Sequence, residues 1–265
     1  RMSELTTQPT SRVVRPVPEP VSHWTINDVL FRWNLAQNGA MLPLFTLVQA
    51  LVAGSVIVGF GFLIPSIDVP TAQFLSAGAP TVMIMVIGLV LCPQGVAHAR
   101  TSGQFTYLRS LPVPRLLLFI SDLVVWALIA APAIPVTVLV AHLRYGFDYS
   151  FAWLPLIGGW LLVTVMATSV GYALAVLLSP QLAQLISQVL VFFVMLFSPV
   201  TFPASQLPGW FQALHDVLPF RPAGDLIRAG LLSDTYPVDV QDVLVLSAWT
   251  AFGVIFSIRA LVSRD

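Results

Sequence analysis

The chain has 265 residues, of which 57% are hydrophobic and only 9% are charged. Soluble domains carry about 25% charged residues, so the composition excludes an ordinary soluble domain and indicates an integral membrane protein. The twelve basic and twelve acidic residues give a formal net charge of zero, which leaves no global field to attract nucleic acid. All the basic residues are arginine, and the chain contains no lysine.

The first 38 residues divide into two segments. Residues 1–21 are polar and proline-rich, which predicts a disordered tail. Residues 22–38 place apolar side chains at helical spacing on one face, namely Ile26, Val29, Leu30 and Trp33. Asn34 lies away from this stripe. We expect an amphipathic helix at the inner membrane surface, held there by Trp24, Leu30 and Trp33. It is either a plain anchor or a surface that also contacts a cytoplasmic partner.

Residues 39–265 form a predicted membrane domain with six apolar runs. A transmembrane helix needs roughly 20 apolar residues. The runs cover about 41–64, 79–98, 116–142, 152–178, 182–199 and 243–262. The predicted fold class is therefore an all-α integral membrane protein with six transmembrane helices, preceded by the amphipathic interface helix.

The arginines predict the orientation of these spans. With the N-terminus inside, nine arginines fall in inner segments, and three fall in outer segments, namely Arg144, Arg221 and Arg228. Cytoplasmic loops of membrane proteins carry an excess of basic residues. Both termini are therefore expected in the cytoplasm, and residues 200–242 are expected to face outward.

The connection between the second and third spans contains a short apolar face. Phe105 and Leu108 lie on one or two helical turns, which Gly103 opens and Pro112 ends. A helix this short cannot bury its apolar face alone. It packs either on the spans of this chain or on another protein.

Asp122 is the one carboxylate near the interior of a predicted span, about two turns into the third. Acidic residues inside a membrane are functional candidates by default. The alternative is an interfacial carboxylate that pairs with Arg115 or Arg109.

Residues 203–231 interrupt the apolar runs with prolines, yet they keep helical periodicity. One face of the first half is apolar, and its members are Trp210, Phe211, Leu214, Val217 and Leu218. Gln212, His215 and Asp216 lie on the other face, and Asp225 and Arg228 form an expected exposed ion pair in the second half.

Two helices this short cannot cross a bilayer, so we expect a re-entrant or interfacial helix pair at the outer leaflet. Trp210 and Phe211 would then face lipid or the substrate exit. The alternative is a plain extracellular cap.

Two segments resemble the ABC type-2 exporter permeases. In "SGQFTYLRSLPVPR", residues 102–115, the positions that match that family's loop between the second and third spans are Gly103, Leu108, Pro112, Val113 and Arg115. Gln104 replaces the family's threonine, and the acidic residues that usually precede the glycine are missing. The positions that match the family's segment between the fifth and sixth spans are Leu207, Pro208, Pro219, Phe220 and Arg228, with Leu218 in place of the usual asparagine. The resemblance covers about residues 22–262.

The resemblance implies a set of partners and roles. The loop would be a coupling helix that docks on an ATP-binding subunit through Gly103, Phe105, Leu108, Pro112 and Arg115. The outer helix pair would include Pro208, Trp210, Phe211, Leu214, Pro219 and Arg228. The partners would be two ATP-binding subunits, a second permease chain that is identical or related, membrane lipid and an amphipathic substrate.

The resemblance also implies a bacterial cell (inner) membrane protein that exports a drug, an antibiotic or a lipid. Residues 22–38 contain Arg32 as their only cation. The lipid-linked polysaccharide branch of the family usually has a more strongly basic interface helix. The resemblance is therefore closer to the drug and lipid branch, and the polysaccharide branch remains an alternative.

The sequence also limits the chemistry of the chain. The standard phosphate-binding loop requires a lysine, so ATP and Mg²⁺ are expected in the partner subunits and no cofactor is expected here. The four histidines are far apart, which predicts no metal site. No Gly-x-Ser-x-Gly motif or paired catalytic residues indicate an enzyme. An ATP-independent secondary transporter or channel is the other alternative, although we find no internal repeat and few charges in the spans.

Overall fold

The computed structural model describes residues 22–39, 42–63, 68–104, 107 and 113–262. The tail predicted for residues 1–21 lies outside this part. The helices are α1 (His23–Gly39), α2 (Leu42–Leu63), α3 (Val69–Val86), α4 (Cys92–Thr101), α5 (Arg115–Ala130), α6 (Ala133–Tyr145), α7 (Trp153–Leu177), α8 (Pro180–Phe197), α9 (Gly209–Val217), α10 (Phe220–Leu231) and α11 (Val240–Val262).

The predicted all-α membrane fold is confirmed. Six helical segments in the described residues are long and apolar enough to cross a membrane, and they are Leu42–Gly59, Val69–Thr101, Arg115–Tyr145, Trp153–Leu177, Pro180–Phe197 and Val240–Leu261. The second combines α3 and α4, and the third combines α5 and α6. We number these segments as spans one to six.

Span two begins about ten residues earlier than the sequence predicted, at Val69 rather than near residue 79. The Asp68 carboxylate accepts a hydrogen bond from the Thr71 amide at 3.2 Å, which satisfies a free N–H of the first turn. Pro70 fits the first turn because its missing N–H has no helical partner there. At 33 residues, span two is about 50 Å long and exceeds the hydrocarbon core.

A π-helical turn, Ile87–Leu91, joins α3 to α4 within span two. Pro93 follows this turn and has no N–H to donate to the preceding turn, which lets the helix widen there. At the same level, a Cβ added to Gly171 of span four would overlap the Gly88 carbonyl oxygen. The two backbones therefore meet with no side chain between them.

The fourth span, α7, lies at the centre of the bundle and contacts span two, span three, α10 and α11. Its neighbours approach closely through glycines. A Cβ on Gly253 of α11 would lie 2.5 Å from the Ser169 hydroxyl oxygen, and one on Gly230 of α10 would lie 2.6 Å from the Leu156 Cα. Small residues at helix crossings allow the close van der Waals packing that holds membrane helices together.

The two short helices predicted between spans five and six are present as α9 and α10. Their environments differ, because α9 lies at the periphery whereas α10 is almost wholly buried against α3 and α7. The C-terminal end of α10 contacts the connection between spans three and four. The Ala152 amide donates to the Gly230 carbonyl at 2.9 Å, and the Ser233 amide donates to the Ser150 carbonyl at 3.0 Å. These two connections therefore share one end of the bundle.

Helix α1 packs along α5, with Leu30 buried and with Trp24 and Trp33 exposed. The sequence placed Asn34 away from the packed stripe, and this is wrong. The Asn34 amide lies against α5, where it donates to the Ser121 hydroxyl at 3.1 Å and to the Asp122 carboxylate at 2.9 Å. The polar groups of α5 set the rotation of α1 because they hydrogen-bond this amide.

Replacing Gly171 with alanine should destabilise the bundle, because the new Cβ would overlap the Gly88 carbonyl oxygen. Overpacking of this kind typically costs about 1–3 kcal/mol. The measurement is thermal unfolding of the purified protein in mild detergent. Gly158→Ala is the matched control, because it lies in the same helix with nothing within 4 Å of the added Cβ. Equal unfolding temperatures for the two variants would contradict the proposed close packing.

Candidate functional site

The connection between spans two and three starts with a turn that requires glycine. Gly103 has φ +79°, a left-handed conformation that glycine adopts without steric penalty. The Tyr107 amide donates to the Gly103 carbonyl at 3.0 Å, with the four-residue spacing of a helical hydrogen bond. Tyr107 is 58% exposed. Phe105, Leu108 and Pro112 lie outside the described residues.

Two arginines attach the ends of this connection to other spans. Arg100, in the last turn of α4, donates to the Leu178 carbonyl at 2.7 Å and also to the Ala175 carbonyl. Arg115, the first residue of α5, donates to the Leu261 carbonyl at 2.6 Å. The last carbonyls of a helix lack helical partners and favour a cation. The connection is thus joined to the C-terminal ends of α7 and α11 as well as to its own spans.

Asp122 lies in a polar cluster near this end of the bundle. Its carboxylate accepts a hydrogen bond from Asn34 at 2.9 Å and another from the Tyr172 hydroxyl. The cluster joins α1, α5 and α7. The guanidinium of Arg115, which the sequence offered as a partner of Asp122, lies on the Leu261 carbonyl. Arg109, the other expected partner, lies outside the described residues.

Arg228 is fully buried at the opposite end of the bundle, with 0% of its surface exposed. Its guanidinium donates to the Asp225 carboxylate at 2.6 Å and to the Val200 carbonyl. The same group lies over the Phe74 ring of α3, with the Cζ atom 3.7 Å from the ring centre. Such cation–π contacts are strongest when they are desolvated. Arg228 therefore links α10, span two and the segment that follows span five.

The predicted Asp225–Arg228 pair forms, but the prediction that it is exposed is wrong, because Arg228 is fully buried. The periodicity of α10 predicts that its polar face contacts water, but in this bundle α3 covers that face. Gly78 of α3 makes the room, because a Cβ there would lie 2.9 Å from the Arg228 Nη2 atom. Asp225 also pairs with Arg221, at 3.4 Å, and Arg221 pairs in turn with Asp216 of α9. A chain of alternating charges thus connects the two short helices.

Helix α9 packs on span five through aromatic rings. His215, predicted on the polar face, is fully buried. Its ring stacks parallel to Phe193 of α8 at 5.9 Å and meets the Phe211 ring edge-on at 4.6 Å. Its Nδ1 atom lies 3.0 Å from the Phe211 carbonyl oxygen. The polar-face prediction was wrong for this residue because its flat ring and backbone partner let it pack like an aromatic side chain.

The other residues predicted for the outer helix pair differ in how far they are exposed. Trp210 is 72% exposed and Leu214 is also exposed, which suits contact with lipid or substrate. Phe211 packs partly against Phe193. Pro208 and Pro219 immediately precede α9 and α10, where a proline begins a helix without losing a hydrogen bond.

A groove of about 540 Å³ lies between α4 and α8, open on one side. It is lined by one leucine and four glutamines, namely Leu185, Gln94, Gln181, Gln184 and Gln188. The sequence analysis missed this site. The available signal was the spacing of Gln181, Gln184 and Gln188, which places three amides on one face of an otherwise apolar span.

In the described part of the chain, no group of three or more histidine, cysteine or acidic residues is arranged to hold a metal ion. Cys92 is a free, buried thiol. The described polar groups thus form structural links at the two ends and an amide-lined groove between two spans.

Comparison with known proteins gives one assignment. A family model described as ABC-2 type transporter matches residues 24–232. The matched segment contains the connection between spans two and three, the glutamine groove and both short helices. A search of curated proteins found no match.

Replacing Arg228 with alanine should destabilise the protein, because the buried Val200 carbonyl loses its donor and a cavity opens beside the Phe74 ring. An unsatisfied buried acceptor alone costs about 1–3 kcal/mol. Arg228→Lys should also destabilise it, since an ammonium group cannot reproduce the planar contact with Phe74. The measurements are thermal unfolding in detergent and the yield of monodisperse protein.

Arg32→Ala is the control for this prediction. Arg32 pairs with Asp28 at 3.0 Å on the exposed face of α1. Such exposed pairs contribute only about 0.3–0.5 kcal/mol. If Arg228→Ala were no more destabilising than Arg32→Ala, the assignment of Arg228 as a buried link would be wrong.

Proposed function

Because the chain belongs to the ABC-2 type transporter family, we propose that it is the membrane-spanning permease of an ATP-driven exporter. Its substrate would be an amphipathic drug, antibiotic or lipid that moves out of the cell. The observation that carries the proposal is the family match over residues 24–232, which includes both segments expected to act in coupling and export.

ATP hydrolysis is assigned to two separate subunits. The chain contains no lysine, whereas the standard phosphate-binding loop uses one to contact the β- and γ-phosphates. Mg²⁺ would be bound with ATP in those subunits. This chain would then contribute transport without an ATPase site of its own.

The connection after α4 is the proposed docking point for an ATP-binding subunit. This connection is attached to four spans. Spans two and three flank it directly, and Arg100 and Arg115 attach it to the ends of α7 and α11. A displacement that an ATP-binding subunit imposes on the connection would therefore act on all four spans.

A second permease chain, identical or related, is proposed to face α8. The described face of α8 combines exposed apolar side chains with three glutamines. Amides are poorly solvated by lipid tails and favour protein or water as neighbours. This supports placing the substrate path at the interface between two permeases, on the side of the glutamine groove.

The proposed location is the bacterial inner membrane, with both termini in the cytoplasm. The support is the nine-to-three distribution of arginines across the predicted inner and outer segments. In α1, Arg32 is paired with Asp28. The interface helix thus presents little net positive charge, in keeping with the drug and lipid branch.

Charged replacements at Phe105 and Leu108 should uncouple ATP hydrolysis from transport. The double variant Phe105→Glu/Leu108→Glu removes the apolar face proposed to dock on the ATP-binding subunit, while the spans remain unchanged. We expect normal insertion, with loss of substrate-stimulated ATP hydrolysis and of efflux in proteoliposomes that contain the whole complex.

Ser102→Glu is the control for the coupling variant, because it adds a negative charge to an exposed residue just before Gly103. It should retain coupling. Normal efflux and normal binding of the ATP-binding subunit by the Phe105/Leu108 double variant would refute docking through this face.

Single cysteines should report the orientation. The wild-type thiol, Cys92, is fully buried and serves as the unlabelled background. Ser233→Cys, in the exposed segment after α10, should react with a membrane-impermeant maleimide added to intact cells. Tyr107→Cys should react only after the membrane is opened. The reverse pattern would overturn the proposed orientation.

A further inference from the structure

The glutamine groove is a polar surface within two membrane-spanning segments. Gln94 belongs to α4, and the other three glutamines belong to α8. Within the part of the chain that the structure describes, none of the four side-chain amides has a hydrogen-bond partner. The groove thus offers unused donors and acceptors from two different spans.

These free amides are unusual because they extend well into a membrane-spanning helix. Gln188 lies eight residues after Pro180, which places it about 12 Å along α8 from the start of the helix. Ala183 and Ser187 of the same helix are buried against the bundle, whereas the glutamines are on the open side. An amide in hydrocarbon without a hydrogen bond is strongly unfavourable. Lipid tails cannot satisfy this face, so a ligand, water or the proposed second permease chain must do so.

The chemistry of the lining is neutral. Helix α8 contains no charged residue, and no carboxylate, arginine or aromatic ring lines the groove. The nearby Arg100 is engaged with the carbonyls at the end of α7. A cation would find neither a counter-ion nor an aromatic cage, and an anion would find no guanidinium.

Glutamine amides donate and accept hydrogen bonds without net charge, so they match hydroxyl and amide groups. Leu185 lines the groove beside them. The adjacent exposed side chains of Leu182, Ile186 and Val189 continue an apolar surface along α8. The groove therefore combines a neutral polar patch with an apolar track.

We propose that this groove binds an amphiphile with an uncharged head group rich in hydroxyl or amide groups, and that Gln94, Gln184 and Gln188 determine this selectivity. The apolar chain of the ligand lies along α8. The inference rests on the proposed function, since it names the substrate class of the same transporter. It assigns selectivity to three residues whose side-chain amides have no hydrogen-bond partner among the described residues.

Binding can be measured without ATP or partner subunits. The full chain is placed in lipid nanodiscs and labelled with an alkyl glucoside that carries a photoreactive diazirine on its alkyl chain. Adducts are mapped by mass spectrometry. Competitors with the same alkyl chain carry a glucose, trimethylammonium or sulfate head group, each below its micellar concentration. We expect saturable labelling of α4 and α8, and competition by the glucoside at about tenfold lower concentration than by either charged competitor.

Substitutions in the groove separate hydrogen bonding from simple partitioning. Gln184→Leu/Gln188→Leu should weaken glucoside labelling about tenfold. Gln184→Glu/Gln188→Glu should shift the preference toward the trimethylammonium competitor. Gln241→Leu, at an exposed residue near the start of α11, is the matched control and should label as wild type does. Gln184 and Gln188 are exposed, so size-exclusion profiles should stay unchanged.

Several results would overturn the inference. They are the absence of saturable labelling at α4 and α8, equal competition by the three head groups, and unchanged labelling of the double leucine variant. None of these outcomes bears on ATP-driven export, because the assay contains no ATP. Conversely, a complex that binds the glucoside in the groove but shows no ATP-dependent efflux would support the groove and refute the proposed function.

Discussion

The direct backbone contact between Gly88 and Gly171 determines where the other helices lie. Any side chain at Gly171 would overlap the Gly88 carbonyl oxygen, so spans two and four cross with no atoms between their backbones. Span four then holds α11 through Gly253 and α10 through Gly230. Lipid tails compete with apolar side chains for helix surfaces, so close packing of this kind is a main source of helix association in a membrane.

Polar links at both ends complete this central pair of spans. At one end, the buried Arg228 joins α10 to Phe74 of span two and to the segment after span five. At the other end, Arg100 of span two donates to the terminal carbonyls of span four. Spans two and four are thus packed tightly at their crossing and hydrogen-bonded through Arg100 at one end, while both contact α10 at the other. A force applied to one end would act on both spans, as the proposed ATP-driven transport requires.

The long apolar runs and proline breaks were sufficient to predict six spans and the two short helices, because length and hydropathy decide both features. The start of span two was missed, since Thr71, Gln73 and Ser76 lower the local hydropathy although the helix continues through them. The burial of Arg228 and His215 was missed because helical periodicity separates two faces but does not say what covers the polar one. Gly78 and the Phe193 ring, both distant in sequence, decide that. The glutamine groove escaped notice because it requires spans two and five to be adjacent.

ATP hydrolysis by a separate subunit is the energy source on which the proposed transport depends. The most direct measurement purifies the chain from its native membrane in mild detergent, reconstitutes it with whatever subunits remain bound, and follows the efflux of an amphipathic substrate. We predict that an ATP-binding subunit co-purifies in equal amount, and that efflux requires ATP and stops with a non-hydrolysable analogue. Efflux driven by an ion gradient alone, from vesicles that contain only this chain, would contradict an ATP-driven permease.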